Sequence, residues 1–248
     1  MRLVYIYHSG FALEADGFSI LIDYFKDSDP DPAKGYVRSE LLKRAGTLYI
    51  LASHFHPDHF HPEVLKWKEQ KPDIKYIFSK DILKRRRAKA DDAIYLKKGD
   101  AYQDELLTIK AFGSTDVGIS FLIETEGRRI FHAGDLNNWH WKDESTPQEV
   151  AEAEGNYLKE LDIIAKETSV MDLVMFPVDP RLGTDFMRGA QQFIDRKQAY
   201  LSRCTFGNVR RRLWLSALTP NRKDVVISYC LFREKGRIYN ILLMYRLF

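Results

Sequence analysis

The amino-acid sequence predicts an α/β sandwich, in which β-sheets pack inside layers of helices. Two observations predict this class. Strand-like runs rich in Val, Ile, Tyr and Phe dominate the first half of the chain. Strand-like and helix-like segments alternate in the second half, as expected where helices cover a sheet. The 248 residues are 45% hydrophobic, which is enough to fill a buried core.

The first half combines short strands with two helical segments. Its strand-like runs are "RLVYIYH", "FALEADGFSILIDYF", "TLYILAS", "IKYIFS" and "AIYLKK". Gly17 marks a hairpin turn inside the second run. Helical spacing is found in "YVRSELLKRAG", which ends at Gly46, and in "PEVLKWKEQ", where Pro62 takes a permitted first position.

The second half continues with strands and two longer helices. Its strand-like runs are "LLTIKAF", "GISFLIETEG", "RRIFHAG" and "DLVMFPV". A long amphipathic helix is predicted over 146–168, and a second one over "DFMRGAQQFID" (185–195). The alternation of these elements completes the pattern expected of a layered α/β domain.

Composition excludes several classes of protein. No apolar run approaches 18 residues, so a membrane-spanning helix is not expected. The N-terminal "MRLVYIYHSGF" lacks the features of a signal peptide. Only two cysteines are present, Cys204 and Cys230, which argues against a disulfide framework. We therefore expect a soluble, cytoplasmic protein.

Charge is distributed unevenly along the chain. Residues 196–248 contain 12 Lys and Arg against 2 Asp and Glu, whereas the remainder contains 26 against 33. A basic segment can indicate a nucleic-acid or membrane-surface patch, or it can be incidental. We treat 1–195 as one domain and 196–248 as a basic C-terminal segment that is part of this domain or appended to it.

The histidines indicate a metal site. Four of the seven lie in "SHFHPDHFHPE" (53–63), directly after the buried strand "TLYILAS". Because residues i and i+2 of an extended chain point the same way, His54 and His56 can share one ion. The turn at Pro57 can direct Asp58 and His59 to a second point. Surface histidines beside a helix start are the alternative, and the density of imidazoles disfavours it.

These residues resemble a known family. H-x-H-x-D-H after an apolar strand is similar to the signature of the metallo-β-lactamase superfamily. "YHSGFALEADGFSILID" resembles the opening hairpin of its lactonase-like branch, where the "ILID" strand ends in an acid near the site. "FHAGDLN" resembles a later strand that ends in Gly-Asp. The resemblance covers about residues 1–195. It implies an αββα sandwich of two mixed β-sheets flanked by helices, with the site at one edge between the sheets.

The resemblance also implies a ligand set and a reaction. His54 and His56 would bind the first metal, Asp58 and His59 the second, and Asp135 would bridge them. Zinc is expected for both ions, with Fe or Mn as alternatives. Such a pair of ions, about 3.5–4 Å apart, holds a hydroxide and polarises the scissile bond. The implied activity is a metal-dependent hydrolase that uses a metal-bound hydroxide, oriented by Asp58, on a small ester, lactone, amide or phosphoester.

The sequence departs from the family pattern at two ligands. Asp116 stands where the family usually supplies a further His to the first metal; it can ligate, or it can cap a turn. No histidine follows His140, so the late His of the second metal is absent. A frameshift near Arg196 would explain this loss, since a shifted frame over 201–209 can encode Pro-Met-His. A genuine, lineage-specific C-terminus is the alternative.

Other residues are candidates for substrate binding. Asn138, Trp139 and His140 follow Asp135 on a predicted rim loop and can form a substrate wall, or the aromatic side chains can cover a sheet edge. Arg181 can bind an anionic substrate, or form an ion pair within its own turn. His8 is expected to orient a metal ligand through its ring nitrogens.

Two other functions compete with the hydrolase hypothesis. Loss of the late His can leave a metal-binding protein with impaired catalysis. A nuclease or phosphodiesterase of the same superfamily is the other rival, supported only by the basic C-terminal segment. The expected partner is a small-molecule substrate; neither a membrane nor a nucleic acid is expected, and homo-oligomerisation is left open.

Overall fold

A computed structural model describes residues 1–168 and 170–196, together with the backbone of strands at 198–199, 213–214, 225–234 and 237–246. The described chain forms two compact units, one spanning Met1–Lys97 and the other beginning at Lys98. The shifted-frame hypothesis for residues 201–209 falls outside the described residues. The proposed domain boundary after residue 195 stays a prediction.

The first unit contains a six-stranded mixed sheet. Its strands, in their order across the sheet, are β1 (Arg2–Tyr7), β2 (Gly10–Glu14), β3 (Phe18–Ile22), β4 (Thr47–Ala52), β5 (Ile74–Ser79) and β6 (Ile94–Leu96). The first three strands are antiparallel, and β3 to β6 run parallel. Gly17 has a φ of 77° and forms the predicted turn between β2 and β3. The carboxyl ends of the parallel strands therefore meet at one edge, where the histidine segment begins.

Short helices flank this sheet. They are α1 (Tyr36–Ser39), 3-10 turns at Leu41–Lys43, Pro62–Glu69 and Ala90–Asp92, and α2 (Lys80–Lys84). The prediction of one continuous helix from residue 36 to Gly46 was wrong, because Glu40 leaves helical dihedral angles at φ −125°. The second helical prediction holds as a 3-10 helix, in which Val64 and Trp67, three residues apart, are both buried.

The second unit contains an eight-stranded mixed sheet. In chain order the strands of this unit are β7 (Ala101–Gln103), β8 (Thr108–Gly113), β9 (Ile119–Thr125), β10 (Arg128–His132), β11 (Val170–Met171), β12 (Leu173–Val178), β13 (Gln198–Ala199), β14 (Leu213–Trp214), β15 (Val225–Glu234) and β16 (Arg237–Arg246). The order across the eight-stranded sheet is β14, β15, β16, β12, β10, β9, β8 and β7, and β11 pairs with β13 separately. β10 and β12 are parallel, whereas β12 and β16 are antiparallel, so part of the basic C-terminal segment pairs with this sheet.

Two α-helices belong to the second unit. α3 (Pro147–Glu167) confirms the long helix predicted over 146–168, and Thr146 and Glu149 form a capping box at its start. α4 (Arg188–Arg196) begins three residues later than predicted, because residues 180–185 form a 3-10 turn in which Gly183 has a φ of 76°. Within the part of the chain that the structure describes, no helix is long and apolar enough to cross a membrane.

Candidate metal centre

The histidine segment of the first unit turns back on itself directly after β4. The backbone N–H groups of His59 and Phe60 donate to the carbonyl of His56, at 3.0 and 2.9 Å. His54 and His59 are fully buried, His56 is half-buried, and the Asp58 side chain is 42% exposed. The loop therefore combines buried imidazoles with a carboxylate that solvent can reach.

Asp23 anchors this loop. It directly follows β3, its side chain is completely buried, and its φ of 50° lies in the left-handed region. Its Oδ1 accepts the backbone N–H of Ser53 at 2.7 Å, and its Oδ2 accepts the Ser53 hydroxyl at 2.7 Å. The same Oδ2 lies 2.8 Å from Nδ1 of His59. One buried carboxylate thus holds both the start of the loop and its last histidine.

The hydrogen bonds of Asp23 determine which ring nitrogens can bind a metal. Because a carboxylate only accepts, Nδ1 of His59 carries the proton and Nε2 keeps its lone pair. The Ser53 hydroxyl gives its proton to Asp23, so its oxygen accepts Nδ1–H of His54 at 3.0 Å. Nε2 of His54 then keeps its lone pair as well. A carboxylate behind a histidine is the usual arrangement around a metal-bound imidazole.

His8 lies beside the same loop. It occupies the two-residue turn between β1 and β2 with a φ of 54°. Its Nε2 lies 3.6 Å from Oδ2 of Asp58, and its ring centroid lies 5.8 Å from that of His59. One ligand atom from each of His8, Asp58 and His59 lies within 4.8 Å of the others. These three side chains form a candidate metal group inside the first unit.

The remaining imidazoles of the segment are equally close. The ring centroids of His54 and His56 are 4.7 Å apart, and those of His54 and His59 are 4.0 Å apart. Imidazole nitrogens with a carboxylate are ligands that zinc, iron and manganese all accept. The residues present therefore fit a divalent metal ion, and they do not select one element.

Asp116 and Asp135 belong to the second unit. Asp116 is exposed in the turn after β8, where its backbone N–H donates to Oγ of Ser114 at 3.3 Å. That contact is typical of a serine turn, the alternative considered for this residue. Asp135 is half-buried in the loop after β10, and its carbonyl accepts Nε1–H of Trp139 at 2.8 Å. Metal ligation by either carboxylate stays a prediction.

The predicted rim loop is mostly buried. Asn138 is fully buried, and its side-chain amide donates to Gln192 at 3.0 Å. His140 is also buried, and its Nδ1 accepts the backbone N–H of Lys142 at 3.2 Å. The ring of Trp139 stacks on Trp141 with centroids 6.2 Å apart. Substrate binding by Asn138, Trp139 and His140 stays a prediction.

Arg181 forms an ion pair within its own turn. Its Nε donates to both oxygens of Asp179, at 2.9 and 2.7 Å, and its guanidinium carbon lies 5.7 Å from the ring centroid of Trp141. Asp179 in turn caps the 3-10 turn that contains Arg181. Both alternatives for Arg181 remain compatible with this geometry, and its binding of an anionic substrate stays a prediction.

A recess of about 470 Å³ lies in the first unit, lined by residues of the segments 24–32 and 61–63 together with Tyr7 and Arg38. Tyr7 and Phe25 line it, and the ring of Phe25 also contacts the His8 ring edge-on at 6.3 Å. Tyr24 closes another side and donates its hydroxyl to Glu63 at 2.7 Å. Burial, followed by that hydrogen bond, raises the pKa of Tyr24 far above its ordinary value, so the hydroxyl stays protonated. The recess offers a concave, partly aromatic surface, and Phe25 is the lining residue that contacts the His8 ring.

Sequence reasoning missed the part that Ser53 plays and gave Asp23 only a general place near the site. The available signal was positional. Asp23 and Ser53 are the first residues after two neighbouring parallel strands, and such residues meet at one sheet edge. The pairing of Ile22 with Leu51 sets this register. Pairing of strands across 30 residues cannot be read from a single sequence.

The sequence matches the profile of one protein family, described as "Beta-lactamase superfamily domain", over residues 2–151. No curated protein matches it. Among solved structures, CmlA, a diiron beta-hydroxylase from Streptomyces venezuelae, is similar with a TM-score of 0.53 and 15% identity, covering 79% of this chain and 43% of that chain. This chain therefore spans less than half the length of CmlA.

Two further solved structures are similar. A metallo-beta-lactamase superfamily protein from Thermotoga maritima is 20% identical, with a TM-score of 0.41 and coverage of 80% of this chain and 72% of that chain. MEM-A1, a subclass B3 metallo-beta-lactamase from a soil metagenome library, is 14% identical, with a TM-score of 0.41 and coverage of 69% and 78%. At these identities, the comparisons concern the fold and not the reaction.

Proposed function

Because this chain belongs to the beta-lactamase superfamily, we propose that it is a metal-dependent hydrolase acting on a small ester, lactone, amide or phosphoester. The predicted family is confirmed by the match over residues 2–151. The predicted fold class is confirmed as well, with two mixed sheets and flanking helices. The substrate, the metal and the reaction are the parts that we propose.

One observation carries the proposal. Asp23 and Ser53 together fix the Nδ1 protons of His54 and His59, which leaves a lone pair on each Nε2 that a metal can accept. Histidines in an exposed surface turn would not be expected to contact a completely buried carboxylate. Burying such a group costs free energy unless donors surround it. This arrangement supports the proposal, because metal-bound imidazoles usually donate their other ring N–H to such a partner.

The proposed ligand set follows the superfamily pattern. His54, His56 and Asp116 would hold one ion, Asp58 and His59 a second, and Asp135 both. We expect zinc, and iron or manganese suit the same donors. Divalent ions held by these residues would acidify a water molecule and polarise the oxygen of the scissile bond.

The side chains of the chain do the remaining work. Asp58, 42% exposed, can accept a hydrogen bond from the attacking water and orient it toward the substrate. Asp23 and Ser53 keep His54 and His59 in one tautomer throughout, because neither histidine can exchange its Nδ1 partner without breaking a buried hydrogen bond. We propose that the recess lined by Tyr7, Tyr24 and Phe25 receives the non-reacting part of a small substrate.

Metal content tests the proposal directly. Protein purified without chelator should contain about two ions per chain by elemental mass spectrometry, as a dinuclear hydrolase requires. His54→Asn should lose metal and any hydrolysis of an ester, lactone, amide and phosphoester panel. His61→Asn is the matched control for metal content, because His61 caps a 3-10 helix and belongs to neither candidate metal group among the described residues. Full metal content in His54→Asn would contradict the ligand assignment.

The absence of any histidine after His140 favours a second candidate, a metal-binding protein with impaired catalysis. This candidate predicts one ion or none per chain and no turnover on the same panel. Two ions with measurable turnover would exclude it.

A further inference from the structure

We propose that His8 is a ligand of the second metal ion and takes the place of the late histidine that this sequence lacks. The inference rests on the proposed function, since it assigns a further ligand to that same centre. The superfamily pattern supplies Asp58 and His59 from the histidine segment, but no histidine follows His140. In the first unit, His8 is the side chain that joins Asp58 and His59 in a candidate metal group.

The spacing of the atoms suits a shared ion. Nε2 of His8 and Oδ2 of Asp58 are 3.6 Å apart, which is too long for a hydrogen bond. Two ligand atoms at bond lengths of about 2.0–2.2 Å around a tetrahedral ion lie about 3.4 Å from each other. The observed separation is therefore close to that of two ligands on one metal. A direct hydrogen bond would bring the same atoms nearer.

The turn between β1 and β2 fixes the position of His8. Its φ of 54° is uncommon for a residue with a side chain, and such conformations concentrate at functional sites. Gly10 allows the turn to pack closely, because a Cβ there would lie 2.8 Å from the carbonyl oxygen of Tyr7 and 3.1 Å from that of Asp23. The hairpin therefore packs closely against Asp23, the residue that holds His59, and His8 lies beside the same loop.

The protonation of His8 also suits ligation. Nδ1 of His8 lies 3.1 Å from the hydroxyl oxygen of Ser9, which can accept a hydrogen bond from Nδ1–H. Nε2, the nitrogen nearer to Asp58, then carries the lone pair. His8 is only 14% exposed, so little side-chain entropy remains to be lost when an ion binds.

His8→Asn is the informative substitution, because asparagine tolerates the left-handed conformation that this turn requires. We expect zinc content to fall from about two ions per chain to about one, and the affinity of the weaker site to fall by more than about 100-fold, beyond the usual effect of an outer-shell partner. His61→Asn should retain both ions. Thermal melting of the variants shows whether each is folded.

A spectroscopic measurement separates ligation from a supporting role. In protein with nitrogen-labelled histidine, loaded with an NMR-active cadmium isotope, Nε2 of His8 should show scalar coupling to the metal. Its resonance is assigned by its disappearance in His8→Asn. Retention of two ions by folded His8→Asn, or absence of the coupling in wild-type protein that holds two ions, would overturn the inference and leave the proposed function standing. Wild-type protein that never binds a second ion would overturn both.

Discussion

Replacing Asp23 with asparagine should weaken metal binding and destabilise the fold while changing almost no volume. The amide oxygen of the variant can still accept the backbone N–H of Ser53, which in the wild-type protein donates to Oδ1 of Asp23 at 2.7 Å. The amide nitrogen would take the place of Oδ2. In the wild-type protein that oxygen accepts from the Ser53 hydroxyl and from Nδ1–H of His59. Two hydrogen bonds to a buried carboxylate would be lost, each contributing about 1.5–3 kcal/mol. We therefore expect a loss of about 3 kcal/mol or more in the free energy of unfolding.

The same substitution changes the tautomer of His59. To accept from the new amide, Nδ1 must lose its proton, and the proton moves to Nε2, the ligand atom. Loss of such an outer-shell partner lowers metal affinity by about 10–100-fold. The affinity is measured by competition with a chromophoric chelator, and the stability by urea unfolding of metal-free protein. Asp16→Asn, at an exposed hairpin position, is the control. Unchanged metal affinity in folded Asp23→Asn would refute the proposed role of Asp23.

Three further predictions concern stability. Gly46→Ala should lower the free energy of unfolding in urea by about 3 kcal/mol or more, because its φ is 84° and a Cβ would clash with the carbonyl oxygen of Gly17. Gly99→Ala is the control, since it has a similar φ but open space around it, and it should cost only about 1 kcal/mol. Thr146→Ala should cost about 1 kcal/mol by removing the cap of α3, measured in the same way. Burial raises the pKa of Tyr76 from 10.0 to about 12, so this tyrosine ionises in the unfolded chain before it ionises in the folded protein. Its contribution to the free energy of unfolding should therefore be fully present below pH 10 and be lost as the pH rises toward about 12. Tyr76→Phe should flatten that decline in unfolding measured against pH, and an unchanged slope would contradict the assignment.

Much of the fold could be predicted because local patterns and tertiary structure agree. The run "TLYILAS" became β4, and the amphipathic spacing over 146–168 became α3, bounded by its capping box. Prediction failed where long-range contacts decide. The helix expected to continue to Gly46 stops early at Glu40, and Leu41 is completely buried in the core of the first unit. Tertiary packing overrides helix propensity at such positions.

The candidate site divides in the same way. The histidine segment could be identified because its spacing is local, and the structure places His54, His56 and His59 with their rings in contact. The approach of His8 to Asp58 joins residues 50 positions apart, and it depends on how the first hairpin packs on β3. No spacing rule within one sequence reports that contact. The sequence therefore assigned His8 a supporting role, and geometry suggests a direct one.

The strongest argument for a metal centre is that Asp23 carries two unfavourable contributions to the free energy of folding. Asp23 is completely buried, and taking a carboxylate out of water costs free energy that its hydrogen bonds have to offset. A φ of 50° adds backbone strain of about 1–2 kcal/mol at the same residue. Neither cost serves the packing of the strand "ILI" that precedes it. Both costs occur at the residue whose carboxylate holds His59 directly and His54 through Ser53. The orientation of these two imidazoles therefore explains Asp23 better than the stability of the sheet does.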